Sequence, residues 1–208
     1  MRYFVLFVVL IAFSAVASAT VPIGTVALYS DGRVEKLLAI EENGLRWEDD
    51  RMRQFLRSRN PIMPRLESRQ LVTGKVYFQE LKSGDPDLIT NLPEGTPLHF
   101  SITRNRNGTV KTRYWRCEFL GSVRGETLGE IRNLEKYRCK QSFMSRKFGL
   151  RVRDISEFTY SPELGVIVQM ERTNVKRQRT RTRELIGLFE PGVDYRTLSR
   201  AVRNARKN

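Results

Sequence analysis

The chain has 208 residues, with 37 Lys and Arg against 23 Asp and Glu, and a formal net charge of +14. That length and a hydrophobic content of 40% suffice for one core without metal or dense disulfides, and they exclude collagen, coiled coil, a multi-span membrane protein and an ordinary disordered chain. One His and two Cys exclude most all-protein zinc and iron–sulfur sites.

The chain starts with a basic Met1-Arg2, then an apolar run from Tyr3 to Phe13, then small residues ending in Ala17-Ser18-Ala19. That order is the three-part secretory leader, and the run is short for a membrane span. The sequence divides into a signal peptide over residues 1–19, a β-rich domain over 20–192 and a basic C-terminal helix or tail over 193–208. The expected location is periplasmic or secreted. Cys117 and Cys139 suit an oxidising compartment. One disulfide between neighbouring strands is the simplest reading, and two buried thiols are the rival.

Val26 to Tyr29 reads as a strand, followed by the turn Ser30-Asp31-Gly32. Val34 to Ile40 reads as a second strand, and Asn43-Gly44 is a hairpin cue. Leu45 to Trp47 restarts extended structure. Asp49 to Arg57 reads as a helical turn or two, with Met52, Phe55 and Leu56 on one face. Asn60-Pro61 and Met63-Pro64 impose turns. Gly74 to Leu81 is a further strand, and Ser83 to Pro97 a loop. Leu98, Phe100 and Ile102 alternate with His99, Ser101 and Thr103. Val110 to Leu120 is a long strand, and Gly121 to Gly129 a connection. Strands at Glu135 to Phe143, Glu157 to Tyr160, Gly165 to Asn174 and Thr182 to Phe189 complete the set. Asp194 then caps a short helix with Leu198, Ala201, Val202 and Ala205 on one face. Short strands with turns and no βαβ alternation predict an all-β antiparallel sandwich or half-open barrel with a short C-terminal helix.

Two stretches carry a resemblance. One is Trp47-Glu48 with Phe55, Arg57, Asn60-Pro61 and Pro64. The other is Phe158-Thr159-Tyr160-Ser161-Pro162-Glu163-Leu164-Gly165, with Val168 and Arg183-Glu184-Leu185 after it. Between them lie Trp115-x-Cys117 and Tyr137-x-Cys139. The chain resembles uncharacterised secreted and periplasmic β-rich proteins of Gram-negative bacteria that carry a Tyr-Ser-Pro-Glu-Leu-Gly segment. Its Leu128-Gly129-Glu130-Ile131 departs from their Ala-Gly-Thr-Phe-like turn. The resemblance implies architecture and compartment, and supplies no chemistry.

Catalytic signals are weak. His99 stands alone, and no G-x-S-x-G surrounds a serine. Glu48-Asp49-Asp50 reads as a solvated turn, and Asp85-Pro86-Asp87 lacks the rest of a calcium loop. No cofactor, metal or catalytic set is assigned. The strongest signal is basic: Lys176, Arg177, Arg179, Arg181 and Arg183 place five positive charges in eight residues without an acid. On one strand Arg179, Arg181 and Arg183 would share a face, spaced about 7 Å apart, which suits spaced anionic groups. The alternative is a solvated hairpin that blocks edge pairing. The leader argues against nucleic acid as the partner. It favours an anionic envelope component: lipid head groups, lipopolysaccharide or a wall polymer. The expected function is a non-enzymatic binding module. A polymer hydrolase with carboxylates not pairable from sequence, or a structural envelope subunit, are the alternatives.

Overall fold

The computed structural model describes residues 21–207, apart from Pro64 and Asn107. The leader reading therefore lies outside the described residues. The strands are β1 Val26–Tyr29, β2 Val34–Glu41, β3 Gly44–Asp49, β4 Arg53–Arg57, β5 Arg65–Gln70 and β6 Val76–Ser83. They continue as β7 Pro97–Arg106, β8 Thr109–Thr127, β9 Glu130–Ser145, β10 Gly149–Ser161, β11 Val166–Asn174 and β12 Arg179–Phe189. A 3-10 helix covers Pro86–Asn91, and α1 covers Tyr195–Ala205.

Consecutive strands are neighbours, and β1 closes on β12, so the sheet is a closed antiparallel barrel. This corrects the expected sandwich or half-open form. Closure rests on Val26–Phe189, Ala27–Leu188 and Leu28–Gly187. Register shifts in β8, β10 and several shorter strands supply the bends that closure needs. One of them lies between Phe119 and Ser122, where Gly121 takes φ +105° with the Glu94 side chain packed over it. The Gly121 to Gly129 stretch is therefore strand, and the β8–β9 turn is only Leu128-Gly129.

The helical reading of Asp49 to Arg57 fails for a local reason. The Asp49 carboxylate accepts from the backbone N–H groups of Arg51 and Arg53 and turns the chain into β4. β5 was not anticipated, because Arg-Leu-Glu-Ser-Arg-Gln carries no apolar alternation. Asn43-Gly44 does mark a hairpin. Gly44 is needed there because a Cβ would collide with the Arg57 carbonyl.

Directly paired residues of antiparallel strands share a face. Around the barrel the inner face runs Leu37–Trp47–Phe55–Ser68–Tyr77–Arg106. A second row runs Phe119–Tyr137–Phe158–Met170–Arg183. The Tyr137 ring lies 5.4 Å from Phe158 and 5.5 Å from Phe119. The outer wall carries Lys36, Glu48, Arg116, Glu118, Arg138 and Glu157 in cross-strand register. A charged outer wall around an apolar interior is the reverse of a lipid-facing barrel wall, and no described helix is long and apolar enough to cross a membrane.

One end of the barrel is plugged. Ile62 from the β4–β5 loop and Ile89 from the 3-10 helix are buried in the cluster of Phe100, Ile102, Tyr137 and Phe158. This end is called the base, and the opposite end, formed by the β1–β2, β3–β4, β5–β6, β7–β8, β9–β10 and β11–β12 turns, the mouth. Asp194 caps α1 as expected, accepting from the N–H groups of Arg196 and Thr197. The helix returns along β1: Pro191 packs at Gly24, while Arg206 lies beside Gly32 and 3.7 Å from Asp50. Val26 and Leu28 point away from the barrel interior and are still buried, consistent with this cover.

Cys117 and Cys139 are directly paired on the inner face and form a disulfide. Closing a loop with a sequence separation of 22 is worth about 3 kcal/mol. Replacing both with Ser should lower unfolding stability by about that amount, read from the guanidinium midpoint against the oxidised protein. An unchanged midpoint would contradict this.

Candidate functional site

The same parity that buries apolar side chains near the base carries arginines near the mouth. On β7 the stripe Leu98, Phe100, Ile102 continues in Arg104 and Arg106. On β8 Phe119, Cys117 and Trp115 lead to Arg113 and Lys111. On β12 Leu185 leads to Arg183, Arg181 and Arg179. Arg104, Arg106, Lys111, Arg179 and Arg181 face inward and are nevertheless exposed, so the interior opens to solvent at this end.

The floor of the mouth on the β2–β5 side is a buried ionic knot. The Glu35 side chain is 0% exposed, with Oε2 2.9 Å from Arg57 and Oε1 3.3 Å from Arg65. The Arg65 guanidinium stacks 3.5 Å from the centroid of the Phe55 ring. Burial alone would raise the Glu35 pKa, but Arg57 and Arg65 together hold its carboxyl below the usual range. Burial pushes the neighbouring Tyr29 hydroxyl up to about 12, with Glu35 adding to it. The knot sets two guanidiniums on one carboxylate, and burial with repulsion from Arg57 lowers the Arg65 pKa to about 9.

Across the mouth the balance differs. Arg104, Arg106 and Arg113 form no ion pair among the described residues. The Arg104 and Arg106 guanidiniums both lie over Tyr77, at 5.3 and 5.1 Å, and Arg113 lies 5.8 Å from Phe143. Partial burial, with repulsion from Arg106 and Arg153, pushes Arg104 below its ordinary pKa. Arg113 is lowered likewise, by burial and then by Arg153 and Arg104. Asp154 is the carboxylate that bears on Arg113. It is occupied by Arg172 at 2.7 Å, Arg153 at 3.4 Å and the Asn174 amide. Buried donors on the inner face, Trp47 Nε1, Arg57 Nη1 and Trp115 Nε1, have no acceptor among the described residues. The open part of the mouth thus gathers positive charge in excess of its carboxylates.

The predicted basic row is divided by the structure. Arg179, Arg181 and Arg183 do share a face, and it is the inner one. Lys176 and Arg177 lie in the β11–β12 turn. Arg183 is engaged, 3.1 Å from Asp31 and over the Tyr29 ring. Arg104, Arg106 and Arg113 were missed. They continue the parity of an apolar stripe, a signal that shows only once the inward face of β7 and β8 is known.

The other candidates are dispersed. His99 is exposed on the outer wall opposite Arg116. Asp49 pairs with Arg53 at 2.5 Å, and Asp85 caps the 3-10 helix. Ser161 to Gly165 forms the β10–β11 corner, with the Ser161 hydroxyl accepting from Leu164 N–H and Glu163 paired with Arg132. Glu157 and Glu171 are cross-strand partners lining a groove of about 280 Å³ that also takes in Tyr137, Phe158, Met170 and Arg183. Glu157 is bonded to Arg138. Among the described residues no cluster of His, Cys, Asp or Glu is arranged to hold a metal ion.

No family model matches the chain, and no curated protein matches it in sequence. Two solved structures are similar in shape. One is the hypothetical lipoprotein YmcC from Escherichia coli K12, at 12% identity and TM-score 0.49, covering 81% of this chain and 86% of that one. The other is a Bacteroides fragilis protein with a YmcC-like fold, at 12% identity and TM-score 0.45, covering 82% of this chain and 98% of that one.

The knot sets a pH prediction. Because Glu35 titrates lower folded than unfolded, its contribution is present above the ordinary carboxylate range and is lost as pH falls through its folded pKa. Glu35→Gln should cost about 3–5 kcal/mol at neutral pH, since it strands Arg57. It should also flatten the fall in urea midpoint as pH drops below the ordinary carboxylate range. A variant with parental stability and parental pH dependence would contradict the ion-pair assignment.

Proposed function

We propose that this protein is an exported cell-envelope protein that binds an anionic ligand in the arginine-lined mouth of its barrel, without chemical turnover. The observation that carries the reading is the convergence of Arg104, Arg106 and Arg113 on one inner-face patch with no carboxylate among them. Like charges gathered in a partly dehydrated site repel one another, and an anion relieves that repulsion. Guanidinium forks suit phosphate and carboxylate oxygens, which accept two parallel bonds.

The leader-like first residues and the Cys117–Cys139 disulfide support export into an oxidising compartment. Envelope polyanions then become the available partners: lipid head groups, lipopolysaccharide and wall polymers. Lys176, Arg177, Arg179, Arg181 and Arg183 serve this reading as one wall and rim of the mouth, with the β7–β8 arginines opposite.

Tripolyphosphate is a suitable probe. Calorimetric titration should show binding that weakens steeply with salt. Changing Arg104, Arg106 and Arg113 to Gln should weaken it by at least roughly a hundredfold, as expected for charge-assisted bonds of about 1.5–3 kcal/mol each. Changing Lys176 and Arg177 to Gln should change it only a few-fold, because exposed charges are screened. Equal loss in both variants, or no loss in the first, would contradict the assignment.

A further inference from the structure

Since the strands run up and down in order, every turn after an odd-numbered strand lies at the mouth and every turn after an even-numbered strand lies at the base. The two ends differ in charge. Four successive mouth turns carry no acid: Leu71 to Lys75, residues 107 to 108, Arg146 to Phe148 and Val175 to Gln178. They carry Lys75, Arg146, Lys147, Lys176 and Arg177, with Arg106 at the end of β7 beside them. The base turns carry Glu42, Asp85, Asp87, Glu94, Glu163 and Glu190. The two remaining mouth turns pair Asp31 with Arg33 and Asp50 with Arg51 in sequence, and the base turns carry one basic residue, Arg59, so the barrel is polarised along its axis, positive at the mouth.

In these turns and the strand ends beside them apolar side chains are exposed. Val72 is 67% exposed, Val110 61%, Met144 60%, Phe148 58% and Leu150 57%. Met144 and Leu150 are directly paired on the outer face of the β9–β10 hairpin. Phe148 stands at its tip, with Arg151 at 4.6 Å and Lys147 at 5.3 Å from its ring. Exposed apolar residues occur at the base too, Leu88 and Ile131 among them, but there they sit beside Asp87 and Glu130. Apolar tips set among basic residues fit an anionic interface, whereas apolar tips set among carboxylates do not.

We propose that the mouth docks face-on against an anionic lipid surface, with Val72, Phe148 and Leu150 seated among the head groups and lipid phosphates drawn toward Arg104, Arg106 and Arg113. This deepens, and rests on, the anion-binding reading of the mouth. The axial charge asymmetry orients the barrel, the tips hold it at the interface, and the mouth meets the head groups. The charged outer wall keeps the rest of the barrel in water.

The test uses the chain from Thr20 onward, which contains every strand of the barrel, and vesicles of phosphatidylcholine with or without phosphatidylglycerol. A tip variant carries Val72→Ser, Phe148→Ser and Leu150→Ser. These side chains are exposed, so its melting temperature serves as the folding control. The parent should bind the phosphatidylglycerol vesicles in a salt-sensitive manner and leave the neutral ones alone. The tip variant should lose at least about tenfold in vesicle affinity while keeping parental tripolyphosphate affinity. Phe148→Trp emission should shift to the blue on anionic vesicles, and Ile131→Trp emission, at the base, should not. Parental vesicle binding by the tip variant, or tripolyphosphate binding without any vesicle binding, would overturn the docking and leave the mouth site standing. Failure to bind either probe would overturn both. A blue shift at position 148 that follows protein concentration without lipid would overturn it in favour of self-association.

Discussion

Closure of β1 onto β12 is the constraint from which the rest follows. A closed antiparallel sheet has no edge, so every strand has one face inside and one outside, and side-chain parity assigns each residue to one of them. Near the base the inward set is apolar and the plug residues Ile62 and Ile89 keep it dry. Near the mouth the inward set is arginine, and solvent reaches it. The Glu35–Arg57–Arg65 knot lies at the boundary, where burial is complete enough that each guanidinium needs a defined partner.

That boundary separates two kinds of arginine. Arg57 and Arg65 are held by Glu35 and by the rings of Trp47 and Phe55, so they belong to the architecture. Arg104, Arg106 and Arg113 rest only on aromatic faces. A cation over a ring keeps its N–H groups free to point past the edge, so aromatic support positions the donors without consuming them. Charge that is positioned but not neutralised is what distinguishes the mouth from an ordinary solvated strand end.

Much of the fold is legible from local chemistry. The Ser30-Asp31-Gly32 turn, the Asn43-Gly44 hairpin, the paired cysteine strands and the Asp194-capped helix are all visible as residue patterns. Barrel closure is not, because it depends on pairing between segments at opposite ends of the chain. β5 is hidden because it presents Arg65 and Ser68 inward in place of apolar residues, and β4 because Met52, Phe55 and Leu56 mimic helical spacing. The basic row over Arg179 to Arg183 is visible as charge density. Its partners on β7 and β8 are not, since Arg104, Arg106 and Arg113 are scattered singly among Thr and Asn. They become visible once they are seen to extend the parity of Leu98, Phe100 and Ile102.

The most direct measurement is a titration of the arginine Nε–H resonances with tripolyphosphate, followed residue by residue by NMR. If the mouth is the site, the signals of Arg104, Arg106 and Arg113 move first and saturate together, Arg179 and Arg181 follow, and those of Arg57 and Arg116 stay in place. Shifts spread evenly over the outer-wall arginines, with Arg104, Arg106 and Arg113 unmoved, would contradict the account.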